Sequence, residues 1–459
     1  MATYELPILE GGRRKGVTKR GEMSEVNLFN YQLDLFERIC SLEGLKSAFR
    51  DVRRNGGAPG VDGITIEVFE SRLTEELIRL KKDIESWHYE PSPVRRVEIP
   101  KSGGTGVRKL GIPTVRDRVL HASMKAVLEP ILDPTFSKSS YGFRPGKNQK
   151  QAVEAAKRII ESGKEYIVDI DLDSFFDRIH HDRLIHRLKQ SISDNRILRL
   201  IGIILRSGVM ADGVIQSTNE GSVQGSPLSP LLSNVVLDEL DRELERRGLE
   251  FCRFADDQNI FVKSQKAAER VMQSVTKYIE NRLKLVVNRE KSKVALSKGV
   301  KFLGITIVAG AIAISPKSMQ NAMDKVKELT PRGTSLNMEQ SIKRINSWYV
   351  GWSSYYSMTQ YPYQLARIEA HVRRRLRSRM VDQQKKRRHL FERVVSLGIP
   401  RRRAAKEIYS NDGRWALSNC WSVRNAFNNH WFIQIQGQKI RSNLKLSHWF
   451  KVDKRIKFT

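Results

Sequence analysis

Two segments place carboxylates where a strand normally runs apolar: IVDIDLDSFFD at residues 167–177 and FCRFADDQNIFV at residues 251–262. An Asp between Ile170 and Leu172, and an Asp pair between Ala255 and Gln258, are costly in a core unless cations neutralise them. Magnesium favours hard oxygen ligands, commonly one or two carboxylates with substrate phosphates completing its shell. Two such ions roughly 4 Å apart activate an attacking hydroxyl and stabilise the pyrophosphate leaving in an in-line displacement. Asp171, Asp256 and Asp257 are therefore the candidate acids of a two-metal site. An isolated Asp pair more often caps a turn, so the assignment requires further blocks of sequence to stand with it.

The elements around these acids read as a mixture. Stretches at 165–172 and 249–263 are β-rich, helical patterns cover 115–132 and 148–162, and more helix follows to residue 206. The irregular alternation favours an α+β domain over a doubly wound sheet. Residues 94–113 have hairpin grammar, VRRVEIP and VRKLGIP around the turn KSGGTG, with basic residues along one arm. From Asn27 to Arg54 apolar residues recur at helical spacing (Leu28, Tyr31, Leu35, Ile39, then Leu42, Leu45, Phe49) and stop at Gly56-Gly57, which predicts two short helices. After Pro316 the composition turns helical and basic.

With 459 residues the chain is long enough for several domains. Its 81 Lys and Arg against 51 Asp and Glu give a net charge of +30, which points to a polyanionic partner. Residues 317–459 hold 30 of those basic residues and only 9 acids. Between Arg367 and Lys406 stand 15 Lys and Arg, more than helix pairing needs, so phosphate contact is their expected use. Arg373, Arg374, Arg375, Arg387 and Arg388 are the candidates singled out. Cys40, Cys252 and Cys420 lie far apart, with no CxxC pair to suggest a zinc site and no even framework to suggest disulfides, which fits a reducing cytosol. No secretory signal core and no apolar run of membrane-spanning length stands in the sequence, so a cytoplasmic protein, nucleoid-associated when acting on DNA, is expected.

The acids stand among ordered blocks. DLDSFFD resembles the first metal-binding motif of reverse transcriptases, and FADD resembles their catalytic hairpin. Between them GSVQGSPLSPLLSN (221–234) resembles the QG-x-P-x-SP-x-L-x-N block of group II intron enzymes. GGAPGVDGIT (56–65), IPKSGGTGVRKLGIPTVRDRVLH (99–121) and YGFRPGKN (141–148) are similar to that family's finger blocks. NREKSKV (288–294), KFLGITI (301–307) and INSWYVGWSSYY (345–356) are similar to its palm end, primer grip and thumb. The likeness covers roughly residues 28–435, in the family's order.

The resemblance implies a right-hand polymerase fold, fingers and palm, followed by a helical thumb or maturase domain and a small basic C-terminal DNA-binding region. The expected divisions are a flexible basic arm at 1–24, fingers and palm at 25–316, thumb at 317–400 and the C-terminal region at 401–459. It further implies that Asp171 and Asp256 bind two Mg²⁺ ions, with the Leu172 carbonyl as a backbone ligand and Asp257 as the second acid of the hairpin. Asp171 is preferred over Asp169 because the aromatic five positions on is then Phe176, whose ring excludes a 2′-hydroxyl and selects deoxynucleotides. Lys101 and Arg108 correspond to the finger residues that neutralise the triphosphate, a point charge and a planar fork. Gln224 corresponds to the residue under the bound nucleotide, and Lys291 to a general acid for pyrophosphate. The hairpin begins with Phe254 where the family commonly has Tyr, which removes a hydroxyl and leaves the metal acids intact.

The function implied is that of an intron-encoded RNA-directed DNA polymerase. It binds its group II intron RNA, assists splicing, and copies the intron into DNA at a target site from a 3′-hydroxyl, with deoxynucleotide triphosphates, RNA template and target DNA as partners. A free-standing enzyme of the same lineage, working in antiviral defence or DNA repair, is the alternative. The paired CxxC ligands of the HNH nuclease domain found in many relatives are absent from this sequence, so second-strand cleavage is not expected of it.

Overall fold

The computed structural model describes residues 35–100, 107–211, 214–216, 220–221, 225–331, 333–428 and 431. The expected N-terminal arm, Lys101 and Gln224 lie outside these, and of Arg108 only the backbone is described. In chain order the strands are β1 (Val94–Pro100), β2 (Val107–Ile112), β3 (Tyr166–Ile170), β4 (Val209–Ala211), β5 (Val214–Gln216), β6 (Glu250–Phe254), β7 (Asp257–Val262), β8 (Lys293–Leu296), β9 (Ile305–Val308) and β10 (Ala311–Ile314). Two compact units form, and neither is continuous in sequence: one from Met1–Ile99, Val107–Phe136 and Phe176–Val236, the other from Pro100–Gly106, Ser137–Phe175 and Leu237–Thr459.

In the first unit the expected pair of N-terminal helices is Leu35–Cys40 and Leu42–Asn55, the second packed on Val115–Leu132. Leu45, Phe49 and Val52 fall on one buried face of their helix, four and three residues apart, which is the spacing that makes a helix dock. Thr114 caps the long helix by accepting from the Asp117 amide, and the Asp117 carboxylate in turn accepts from Tyr89 (2.6 Å), Thr114 (2.7 Å) and the Ser92 amide (3.2 Å). The expected hairpin forms two neighbours of a four-stranded sheet, in the order β2-β1-β4-β5, with β1 and β4 parallel.

The second unit is built on the antiparallel sheet β6-β7-β3-β8. Helix Gln149–Glu161 packs on β6 and helix Gln265–Tyr278 on β3. The hairpin β9–β10 leads into helix Pro316–Leu329, which Ser315 caps and Pro316 opens at a position where no amide is needed. The expected boundary at 316 thus falls where strand gives way to helix, yet contacts cross it: Tyr355 donates to the Leu303 carbonyl at 2.5 Å, and Gln360 and Gln364 accept from the Ile312 and Ile314 amides. Residue 400 divides nothing in the packing. One apolar core takes Val326, Ile345, Tyr349, Ile368 and Val372 together with Ile408, Val423 and Phe427.

Candidate catalytic centre

Register brings the acids to one end of one sheet. Ile170, the last residue of β3, faces Gln258 of β7, and β7 begins at Asp257, which faces Phe254 across the β6–β7 hairpin. Asp171, one residue past β3, therefore ends beside the turn that carries Ala255 and Asp256. Neighbouring strands lie about 4.8 Å apart, so Asp171, Asp256 and Asp257 come to the same end of the sheet. Asp171 and Asp256 are half-buried and Asp257 is exposed.

Asp171 is held through its backbone. The Asp171 amide donates to Ser292 Oγ at 3.0 Å and its carbonyl accepts from the Asn288 amide at 2.9 Å. Buried Leu172 bridges to Val287, and the Asp173 amide donates to the Val286 carbonyl. Asn288 Oδ1 accepts from the amides of both Glu290 and Lys291 at 3.2 Å, a side-chain-supported turn that aims Lys291 back at the acid. Lys291 Nζ lies 3.7 Å from Asp171 Oδ1.

The hairpin tip is under constraint. Ala255 sits at φ 57, a left-handed conformation uncommon for residues with a Cβ. Arg253, fully buried, supplies the support: Nε reaches Asp241 Oδ1 at 2.8 Å, Nη2 reaches Oδ2 at 2.6 Å, and Nη1 donates to the Ala255 carbonyl at 3.0 Å. The guanidinium is thus neutralised by an equally buried carboxylate while one fork holds the residue preceding Asp256. On the outer edge of β6, Ser139–Tyr141 brackets Arg253 with two backbone hydrogen bonds of 2.9 and 2.8 Å. Gly142 then lies so close that a Cβ there would overlap the backbone of Phe254 and Ala255.

Asp169, on β3 just before Asp171, feels two of these acids. Burial pushes Asp169 up to about 7, with Asp257 and Asp171 adding to the rise and Lys293, its cross-strand neighbour, and Lys301 opposing it. A corner of carboxylates with a lysine ammonium 3.7 Å from one of them offers the hard oxygen donors that a divalent cation takes. Asp171 and Asp256, with a backbone carbonyl, are the oxygen donors such an ion takes.

Arg108 lies in the other unit. Arg108 is on β2, and Gly225, following Gln224, approaches β2 so closely that a Cβ would overlap the Gly111 carbonyl. The next residue, Ser226, contacts His121 Nδ1 at 2.9 Å, and burial holds that imidazole neutral, its pKa pushed down to about 4. Phe176 belongs to this unit, on a short 3₁₀ turn at Phe175–Arg178.

The five C-terminal arginines do not gather into one patch. Arg373 and Arg374 line a cleft of about 670 Å³. Arg375 donates to Thr330 Oγ1 and to its carbonyl at 3.0 and 2.6 Å. Arg387 binds the carbonyls of Ile408, Ser410 and Asp412, and exposed Arg388 pairs with Glu392 at 2.8 Å.

Residues 99–307 match the family described as reverse transcriptase (RNA-dependent DNA polymerase), and residues 319–395 match the group II intron, maturase-specific domain. Protein YkfC of Escherichia coli (strain K12) is 33% identical over 60% of this chain and 82% of its own length. The group II intron-encoded protein LtrA of Lactococcus lactis subsp. cremoris is 31% identical over 54% of this chain and 40% of its own length. The putative COX1/OXI3 intron 2 protein of Saccharomyces cerevisiae is 28% identical over 70% of this chain and 38% of its own. The chain belongs to the group II intron reverse transcriptase family. Alignment with the two intron proteins thus spans about two fifths of their length. Reverse transcriptases use divalent metal, and the acid corner lies inside the matched polymerase region. Among the described residues no helix is long and apolar enough to cross a membrane.

Sequence reasoning passed over Arg253, Asp241, Gly142 and Asn288. A signal for Arg253 was present: a charged residue in the middle of FCRF, where a core strand should be apolar. Its partner Asp241 lies 12 residues upstream on helix Ser229–Arg246, and nothing in the spacing marks it.

Proposed function

We propose that this reverse transcriptase is the RNA-directed DNA polymerase of a group II intron, which binds the intron RNA, assists its splicing and copies it into DNA at a target site from a target-strand 3′-hydroxyl. The observation that carries the chemistry is the convergence of Asp171 with the Asp256–Asp257 turn at one end of paired strands. Asp171 and Asp256, with the Leu172 carbonyl, would hold two Mg²⁺ ions, which when bound activate the primer hydroxyl and neutralise the departing pyrophosphate. The protein's own groups do the rest. Asn288 and Ser292 fix the backbone of Asp171, Arg253 fixes that of Ala255, and Lys291 Nζ holds a proton within reach of the site for the leaving group. Asp257 adds charge at the hairpin tip.

In the same reading Lys101 and Arg108 neutralise the incoming triphosphate, Gln224 lies under the nucleotide and Phe176 excludes a 2′-hydroxyl. The matched maturase-specific domain and the basic composition beyond Pro316 support RNA and target DNA as partners of the helical region. The test is primer extension on an RNA template with Mg²⁺ and deoxynucleotides, comparing the natural chain with Asp171→Asn and Asp256→Asn, which keep size and remove charge. Both variants should bind primer-template and make no product. Extension at the natural rate by either sinks the catalytic assignment.

A further inference from the structure

The maturase-specific region holds a charge that nothing among the described residues answers. Arg377 is 8% exposed, yet it has no hydrogen bond or ion pair among the described residues, and its Nε is buried without an acceptor. It lines the 670 Å³ cleft with Arg367, Arg373, Arg374, Arg424 and His371, and no acid is among the lining residues. Arg374 also has a buried Nε without an acceptor, although its guanidinium lies over the Trp415 ring at 4.2 Å. Of the two carboxylates on the same helix, Glu369 is 1% exposed and is engaged by Tyr349 at 2.8 Å and by Arg373 at 3.6 Å, and Asp382 pairs with Arg414 at 3.6 Å. Burial, reinforced by Arg373, Arg424 and Arg374, lowers the Arg377 guanidinium to about 10. A buried cation surrounded by cations is unfavourable for folding unless a ligand anion supplies what the fold withholds.

The geometry narrows the ligand. Guanidinium forks match phosphate oxygens two at a time. A single phosphate carries too little charge for five arginines, and the volume is that of a drug-sized pocket rather than of one small anion. The cleft is concave, with Arg377 recessed. A regular duplex presents its phosphates on a convex cylinder that spans such a hollow without entering it, whereas a strand that turns sharply pushes successive phosphates outward to one side.

We propose that this cleft is a receptor for the backbone phosphates of a sharply turned nucleic-acid strand, with Arg377 as the contact at its floor. The inference rests on the reading of the helical region as RNA-binding and locates one contact point within it. Arg377 is not part of the catalytic centre.

The experiment uses the full chain with Arg377→Met and Arg377→Lys. Probes are an RNA hairpin with a tight loop, a blunt RNA duplex of equal length, and pyrophosphate. Arg377→Met should weaken hairpin binding about tenfold and flatten its log–log salt dependence by roughly one unit. It should leave duplex binding and primer extension at saturating primer-template unchanged, and it should raise the melting temperature, because an unanswered buried charge has gone. Arg377→Lys should weaken hairpin binding several-fold while keeping the charge, and this variant decides the matter if the methionine variant does not fold. Unchanged hairpin affinity in folded variants overturns the proposal. So does equal weakening of hairpin and duplex, which leaves the RNA-binding reading standing and assigns Arg377 to the general field. Pyrophosphate that raises the melting temperature of the natural chain alone, without loss of hairpin binding in the variants, makes the cleft a small-phosphate site and overturns it too. If the natural chain does not bind the hairpin at all, the broader reading fails with it.

Discussion

Arg253 and Arg377 are both taken out of water, and the chain treats them in opposite ways. Arg253, fully buried, spends its fork on Asp241 and its remaining arm on the Ala255 carbonyl. Arg377 has like charges for neighbours and, among the described residues, no hydrogen-bond or ion-pair partner. The first arrangement suits a centre whose acids must be in position before substrate arrives, since a preformed site costs no reorganisation at the moment of reaction. The second suits a surface whose ligand completes it. Internal compensation is a mark of positioning, and its absence a mark of reception.

The largest effect that sharpens this contrast is at Arg253. Arg253→Met leaves Asp241 as a lone buried charge, and removing one partner of such a pair costs about 3–5 kcal/mol. Denaturant unfolding should show that loss. Adding Asp241→Leu should restore much of it, because no charge then remains, while polymerisation stays slow because Ala255 still lacks its donor. A single variant as stable as the natural chain breaks the comparison, and so does a double variant that regains full rate along with stability.

A smaller effect is expected at Gly142. Gly142→Ala forces a methyl group against the Phe254–Ala255 peptide, where overpacking costs about 1–3 kcal/mol. The displaced backbone is that of the catalytic turn, so turnover should fall more than primer-template affinity does. Equal loss of both in steady-state kinetics makes Gly142 a packing residue only.

These two residues also show where the sequence was legible. Asp171, Asp256 and Asp257 stood out because carboxylates in apolar strands break a local pattern, and β3, β6 and β7 formed within a few residues of the expected limits because strand periodicity is local. YGFRPG was legible as a block, but the reason for its glycine lay in an approach of Ser139–Gly142 to β6 across more than a hundred residues. The Asp241 partner of Arg253 was hidden for the same cause. Boundaries at 316 and 400 followed composition, whereas packing follows apolar faces: Ile408, Val423 and Phe427 join the core of the preceding helices despite the run of arginines between them. The arginines were legible as charge and not as individuals, since which guanidinium finds a carbonyl is decided by helix ends far away.

The smallest effects separate those individuals. Arg375 and Arg387 already donate to Thr330 and to the carbonyls of Ile408, Ser410 and Asp412, so they have few N–H groups left for a phosphate. Replacing both with Gln should lower the melting temperature and leave the salt dependence of RNA binding close to natural. Arg373→Gln with Arg374→Gln, in the cleft, should flatten that dependence by about one to two units, since each lost phosphate contact removes roughly one. Arg388 lies between these cases: it is exposed, but it shares its charge with Glu392. Arg388→Gln should reduce the slope by less than one unit and leave melting unchanged. The slopes are read from binding titrations of one RNA at several salt concentrations. If Arg375 and Arg387 flatten the slope as much as Arg373 and Arg374 do, internal hydrogen bonding does not withdraw an arginine from phosphate contact, and the distinction between positioning and receiving arginines does not hold on this surface.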